Sequence, residues 1–404
     1  MPSDAATEVH RRFAKTGVTA NSHFLYPGIQ RSIRFIVELQ LPEQEVDVTL
    51  GKKVHHLVAL ILHHLDLRLF DRALEKRFKA YSLSGLGVAL EYQQMDMRPV
   101  SADLEEKADR FGYEFEHLAV TLGSVIHNID LKDDLTDEQI SFIRQTLLER
   151  KVIFFHNQGL SEDQQVQFGK RFGTLDAFPF GPPGQNPYLF YIHHNENRPG
   201  SENNWHTDVT WMENPSLGSI AQVDVAPPIG GSTLFSDSHA AYLGLSADLK
   251  ARLQHIHGIN DYRVFMQKYP KELHSEIKQK VPFGVSHPLL RTHPETGKTA
   301  LYIHLGFIRP DSLFDVRTGE TLPPDECKDI IRQLSLQHGR EEYVCRFKYE
   351  AGSIAFWDNR AVQHYAASDY WPHERILRRV TISGDRPYYD PSQAPSCYQD
   401  SFMN

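Results

Sequence analysis

Cysteine is scarce in this chain. Cys327, Cys345 and Cys397 are the only three in 404 residues, and their odd number and wide separation exclude a disulfide framework and a thiolate-held zinc or iron–sulfur centre. Long apolar runs are missing as well. Leu57-Val-Ala-Leu-Ile-Leu62 is the longest, far short of the roughly 20 residues that a membrane span requires. The chain opens on no basic, then apolar, then small-residue segment, so no secretory leader is expected and the cytoplasm is the default compartment. Positive charge is not in excess. With 43 Lys and Arg against 52 Asp and Glu, a net charge of −9 and a pI near 6.2, a nucleic-acid partner is disfavoured, and a small anionic ligand would have to be met by individual arginines. Internal repeats and low-complexity segments are absent too. What remains, 40% hydrophobic and 24% charged residues, is the composition of a globular protein long enough to bury a sizeable core.

Residues 1–105 differ from the rest and read as an N-terminal extension. A strand-like Ile33-Arg-Phe-Ile-Val-Glu-Leu-Gln-Leu41 is followed by a helical pattern from Val54 to Tyr81, whose Leu57, Leu60, Ile61, Leu65, Leu69, Leu74 and Phe78 suit packing on the main domain or on a second subunit. His55, His56, His63 and His64 could share a face of that helix, but no carboxylate or cysteine joins them, so a metal site is not read there. Residues 106–390 are read as the functional domain and 391–404 as a C-terminal tail. Thr136-Asp-Glu-Gln139 and Ser161-Glu-Asp-Gln164 are capping boxes that open helices, and Val152-Ile-Phe-Phe155 between them is a buried strand. Short strands are expected near 218–226, 281–291, 299–305, 344–349, 352–357 and 376–384. Many short strands predict a mainly β domain with flanking helices (α+β), a sandwich or jelly roll.

The chemistry concentrates in Asn203-Asn-Trp-His-Thr-Asp-Val-Thr-Trp211. On a strand, His206 and Asp208 would point to one side with Thr207 turned away. His64-Leu-Asp66 carries the same tripeptide inside the helical pattern, so the pair alone means little. His364 supplies what is missing, arriving after the strand-like Gly352–Trp357 and the turn-like Asp358-Asn-Arg360. Two imidazoles and one carboxylate on one face of a divalent iron leave three adjacent positions open, as a bidentate co-substrate plus dioxygen requires. Arg375 and Arg379 follow, either of which could clamp a carboxylate. Alternation is read as turning these two to opposite faces unless a bulge or turn intervenes, and with Arg378 beside them they could equally coat an exposed strand.

Taken in order, Asn-Trp-His-Thr-Asp-Val-Thr, Gly230-Gly-Ser-Thr-Leu-Phe235, Leu289-Leu-Arg-Thr-His-Pro294, Phe356-Trp-Asp-Asn-Arg-Ala-Val-Gln-His364 and Arg379-Val-Thr-Ile-Ser-Gly-Asp-Arg-Pro387 resemble the taurine and 2,4-dichlorophenoxyacetate dioxygenase family of iron(II), 2-oxoglutarate-dependent enzymes over about residues 112–390. The resemblance implies a double-stranded β-helix (a cupin-like jelly roll) and Fe(II), 2-oxoglutarate and O2 as the reacting set. It implies that His206, Asp208 and His364 hold the iron and that Thr233 contacts a 2-oxoglutarate carboxylate. Arg375 would clamp the distal end of 2-oxoglutarate and Arg379 the anionic group of the prime substrate, a division that spacing leaves open. Phe178, Val209 and Glu202 complete the implied substrate contacts. The implied reaction is hydroxylation of a C–H bond in a small anionic or zwitterionic molecule, with release of succinate and CO2. Asp208 argues against halogenation, because related halogenases lack this carboxylate.

Two departures bear on the substrate. Sulfonate-cleaving relatives carry a Leu-His-x-His-Pro segment where this chain has Leu175-Asp-Ala-Phe-Pro179. Glu202 occupies the neighbourhood where such enzymes have a neutral asparagine, which suits a substrate with an amine or guanidine group held between Glu202 and Arg379. A biosynthetic tailoring oxygenase on an amino-acid-derived intermediate is therefore the second reading, and a non-catalytic metal- or ligand-binding relative the third. His193, His194, His287, His293 and His304 are expected to pack, cap or lie at the surface. Trp205, Trp211, Phe356 and Trp357 are read as core or pocket wall, and Asp358 and Arg360 as a salt bridge fixing the turn before His364.

Overall fold

The computed structural model describes residues 85–393 except 96, 178–185, 264–265, 267–270 and 282–283. The strand expected at 33–41, the helix at 54–81 with its histidine pairs, Phe178, and 394–404 of the tail lie outside the described residues. Strands are numbered in chain order. The first six are β1 (Glu114–His117), β2 (Ser124–His127), β3 (Val152–Phe155), β4 (Phe190–His194), β5 (Gly218–Val225) and β6 (Thr233–Asp237). Then come β7 (Ile256–Asn260), β8 (Val285–Pro288), β9 (Leu290–Thr292), β10 (Thr299–Leu301) and β11 (Phe314–Asp315). The last four are β12 (Val344–Phe347), β13 (Ile354–Asp358), β14 (Val362–Ala366) and β15 (Arg375–Ile382).

A seven-stranded sheet runs β1-β2-β3-β13-β5-β15-β4, and a three-stranded sheet runs β12-β6-β14. Period-two alternation decides what each face of the larger sheet meets. Ile153 and Phe155 of β3, Ile354 and Phe356 of β13, and Val380 and Ile382 of β15 share one core with Phe142, Ile143 and Leu147 of the helix Asp137–Arg150 and Val166 and Phe168 of the helix Glu162–Lys170. The intervening Val152, Phe154, Ala355, Trp357 and Leu377 point the other way, into a second core with Phe235, Cys345, Phe347 and Val362 of the small sheet. Phe154 stacks on Phe347 at 4.0 Å between ring centroids and meets Phe235 at 5.5 Å, so the two sheets face each other. A third core, built on Leu289, Leu290, Leu301, Ile330 and Leu334, lies among β9, β10 and the helix Pro324–His338.

Both capping boxes are in place: Thr136 and Ser161 each accept from the third residue of their helix, and Gln139 and Gln164 reach back. The strand expectations fall on β5, β8 to β10, β12, β13 and β15. The strand expected to bring in His364 is β14, whereas strands β4, β6 and β7 and the helices Ala102–Phe111 and Pro324–His338 were not foreseen. Residues 85–94 are helical and join the same body: a Cβ on Gly87 would lie 2.2 Å from Ala240 O, so only glycine permits this approach.

Candidate metal centre

His364 sits in the middle of β14, paired with Phe235 of β6. On its free side it forms an antiparallel bridge with His206, whose N–H donates to His364 O at 3.0 Å while His364 N–H donates back at 2.7 Å. The bridge brings the two imidazole centroids to 4.0 Å. The strand expected to carry both His206 and Asp208 is corrected here. His206 is a lone bridge residue and Asp208 opens a turn, continued by Val209 at φ 48°, a left-handed backbone that β-branched residues rarely adopt. The turn, not strand alternation, swings the carboxylate toward the histidines.

Asn359 holds that turn. Its carbonyl accepts the Thr207 hydroxyl at 2.6 Å, and its Oδ1 accepts Trp357 Nε1–H at 2.8 Å and Asp208 N–H at 3.4 Å. Its amide reaches Ser219 Oγ at 3.3 Å, and Ser219 donates to Asp208 Oδ2 at 2.9 Å. Sequence reasoning did not single Asn359 out, although it lies within the quoted Asp358-Asn-Arg360 turn. Asp358 pairs with Arg360 at 2.7 Å and with His293 at 3.0 Å, fixing the same turn from outside.

Donor atoms of His206, Asp208 and His364 all lie within 4.8 Å of one another. Burial, foremost, keeps both imidazoles below their ordinary pKa, hence neutral with a lone pair to give. His206 Nδ1–H donates to Asn204 O at 2.7 Å, which leaves Nε2 as its donor atom. Burial alone would raise the Asp208 carboxyl, but Arg379 first, then His364 and His206, hold it well below the carboxylate range. Two neutral imidazoles and one ionised carboxylate, buried and mutually in reach, fit a divalent iron with open positions.

Arg375, Leu377 and Arg379 point to one face of β15, the one that carries Leu377 into the inter-sheet core. The expectation that the two arginines turn apart unless a bulge or turn intervenes is therefore corrected: four positions is an even count, a period of two returns to the same side, and the register irregularity against β5 at Ile376/Leu377 leaves them there. Arg379 Nη1–H donates to Asp208 Oδ1 at 2.7 Å and its guanidinium lies over Phe190 at 5.4 Å. Arg375, 4% exposed, lies over Tyr349 and Tyr370 at 5.5 and 5.8 Å, with Nε unpartnered. Thr233, buried at the start of β6, bonds the same Tyr349. Arg378, by contrast, turns to the helical side and pairs with Asp224 at 3.0 Å.

Residues 114–381 match the model of the taurine catabolism dioxygenase TauD, TfdA family. A sulfate ester dioxygenase of Pseudomonas putida, alpha-ketoglutarate-dependent, is 33% identical over 282 residues, 67% of this chain and 89% of that protein. An alpha-ketoglutarate-dependent 2,4-dichlorophenoxyacetate dioxygenase of Cupriavidus pinatubonensis is 28% identical, over 64% of this chain and 94% of its own. Among solved structures, a taurine dioxygenase from Burkholderia xenovorans superposes with a TM-score of 0.58 at 31% identity, over 70% of this chain and 94% of its own. The chain belongs to the TauD/TfdA family. It is accordingly a 2-oxoglutarate-dependent dioxygenase, of a class that uses Fe(II), 2-oxoglutarate and O2.

Glu202 is engaged within its own chain. Its carboxylate accepts from Ser201 N–H and Oγ–H, both at 3.1 Å, and lies 3.5 Å from His194 Nε2. His194 Nδ1 meets Tyr370 OH at 2.6 Å, and Tyr370 bonds Arg375, so two side chains connect Glu202 to the buried arginine. Val209 packs against the cluster of Trp211, Tyr262 and Phe307. His304 was expected to be a packing or capping residue, and it does cap a turn: Gly306 N–H and Phe307 N–H donate to its Nδ1 at 2.9 and 3.2 Å. It also stands 5.2 Å from the His206 ring. No helix among the described residues is long and apolar enough to cross a membrane.

Proposed function

We propose that this dioxygenase hydroxylates a C–H bond of a small organic anion, releasing succinate and CO2, with His206, Asp208 and His364 as the iron ligands. The observation that carries the reading is the buried His206–Asp208–His364 group with two arginines on the same face of β15. The facing sheets are read as the double-stranded β-helix of the family. Bound iron, with 2-oxoglutarate and dioxygen, supplies the oxidising power. The chain supplies position and dryness. Arg375, unpartnered at Nε between two tyrosine rings, receives the distal carboxylate of 2-oxoglutarate beside Thr233. Arg379, already beside the metal ligand Asp208, receives the anionic group of the prime substrate, and Val209 forms part of its apolar wall. The relatives act, by their names, on sulfate esters and on an aryloxyacetate, and we extend that class, a sulfate ester or other small anion, to this chain.

A zwitterionic substrate is the second reading, favoured by the Glu202 carboxylate near the site. Swapping Glu202 to Gln and finding substrate preference unchanged sinks it. The main test is anaerobic addition of Fe(II) and 2-oxoglutarate to the parent and to His206→Ala, followed through the weak visible charge-transfer band of the chelate. The band is expected in the parent alone; its absence from iron-loaded parent protein overturns the proposal.

A further inference from the structure

Beside the triad and the two arginines stands His304. It is 4% exposed, and its charge neighbours are all three members of the triad, yet its nitrogens are not among the donor atoms that lie within 4.8 Å of one another. It is therefore beside the metal centre without being a ligand. Its tautomer is set by the turn it caps. Two backbone N–H groups, from Gly306 and Phe307, converge on Nδ1, so Nδ1 must carry a lone pair and the ring proton must sit on Nε2. No bond is found for that Nε2–H among the described residues. The ring is clamped on its flank, with its centroid 4.0 Å from that of Phe307, in the same cluster that packs Val209. The groups assigned to 2-oxoglutarate keep different company, Arg375 and Thr233 both meeting Tyr349.

We propose that His304 is a specificity-determining hydrogen-bond donor: its fixed Nε2–H, beside His206 and against Phe307, donates to an oxygen of an anion bound next to the metal centre. The chemistry recognised is an oxyanion, either the prime substrate's head group or the metal-bound carboxylate of 2-oxoglutarate. A donor oriented by its own turn and left without a protein acceptor is completed by a ligand or water, and it rejects ligands that lack an acceptor at that place. The inference rests on the proposed iron and 2-oxoglutarate centre.

The test separates capping from recognition. In His304→Asn the amide oxygen replaces Nδ1 as acceptor for Gly306 and Phe307, while the side chain is too short to replace Nε2. His304→Gln offers an N–H near the Nε2 position. Thermal unfolding and Fe(II) affinity of the anion-free proteins come first, and both are expected to match the parent in the Asn variant. Anaerobic Fe(II) protein is then titrated with 2-oxoglutarate, and the loaded complex with hexyl sulfate, hexanesulfonate and 2,4-dichlorophenoxyacetate, all read through the charge-transfer band. A roughly tenfold weakening in the Asn variant, partly restored in Gln, is expected. In the first titration it identifies the co-substrate carboxylate as the acceptor, in the second alone the prime substrate. If none of the three probes binds the parent, the 2-oxoglutarate titration decides by itself. Parent-like binding throughout, or a nitrogen-15 spectrum with the His304 proton on Nδ1, overturns the inference while leaving the parent's own band, and so the proposed function, intact. Loss of anion-free Fe(II) affinity in the Asn variant overturns it too, by making His304 part of the metal's support.

Discussion

Among the described residues, the metal centre and the buried cluster around Lys151 are built on opposite principles. At the metal centre, His206, Asp208 and His364 converge with donor atoms turned toward one another, and among the described residues the basic side chain donating to them is Arg379. In the second cluster, Lys151 pairs with Glu91, with Asp237 at 3.1 Å and with Thr121 O at 2.6 Å. Thr121 Oγ–H donates to Asp237 at 2.6 Å, Lys298 approaches Glu91 at 3.3 Å, and the other Asp237 oxygen caps the helix Ser238–Leu243. Arg150 beside it donates to the carbonyls of Pro99, Ala119, Val120, Leu122 and Gly123. Buried charges that answer one another hold a fold together; buried donors left facing a common point await a ligand. Glu91 belongs to the helix at 85–94, ahead of the family-matched 114–381, so part of what reads as an extension is wired into the core.

Substitutions should separate the two clusters. His206→Ala is expected to weaken Fe(II) binding by more than about a hundredfold, since even supporting partners of a ligand cost up to that, while the thermal unfolding of metal-free protein stays near that of the parent. A metal titration and a melt, run together, check this. Glu91→Ala should do the reverse. It strips a fully buried partner from Lys151, a loss of about 3–5 kcal/mol, and leaves iron affinity of the folded fraction unchanged; denaturant unfolding with and without iron reads both. An unchanged denaturation midpoint would contradict the view of Glu91 as a structural counter-ion. Asn359→Ala lies between them. It removes Oδ1 and the link to Ser219 that orient Asp208, and a 10- to 100-fold loss of Fe(II) affinity is expected, with a smaller effect on the melt than Glu91→Ala.

The sequence made the metal centre legible and left the means of its assembly obscure, for physical reasons. His206 and Asp208 are two apart, and His364 stands in a long ordered motif, so residue type and spacing carried the donor set. The turn at Asp208 was hidden because valine at φ 48° runs against local propensity, and tertiary bonds from Asn359 impose it. Strand β14, Val-Gln-His-Tyr-Ala, gives a weak apolar signal because one of its inward positions is His364 itself. The helix Pro324–His338 is legible in hindsight: a proline opens it, and its buried Cys327, Ile330 and Leu334 recur at helical spacing. The role of Glu91 was not legible, since nothing in its neighbourhood in sequence announces partners 60 residues away at Lys151.

The smallest expected effect concerns pH and only the structural cluster. Burial first, then the neighbouring Glu91 charge, pushes Asp237 up to about 6, while Lys151 and Lys298 overcome burial to hold Glu91 at about 2. The two act in adjacent windows with opposite sign. For Glu91, the unfolded chain binds the extra proton between about pH 2 and its ordinary value of 4.5, so stability rises with pH there. For Asp237, the folded protein keeps the proton between 3.8 and about 6, so its contribution to stability falls as pH rises through that window. Asp237→Asn removes the second term while retaining a side-chain oxygen to cap the helix Ser238–Leu243. The parent should therefore lose stability from pH 4 to 6 relative to Asp237→Asn, the gap closing below pH 4; equal slopes in denaturant unfolding across that range would place the proton elsewhere. Fe(II) affinity should follow neither curve, because Glu91, Lys151, Thr121, Arg150, His239 and His338, which surround Asp237, make no hydrogen bond or ion pair to His206, Asp208 or His364 among the described residues.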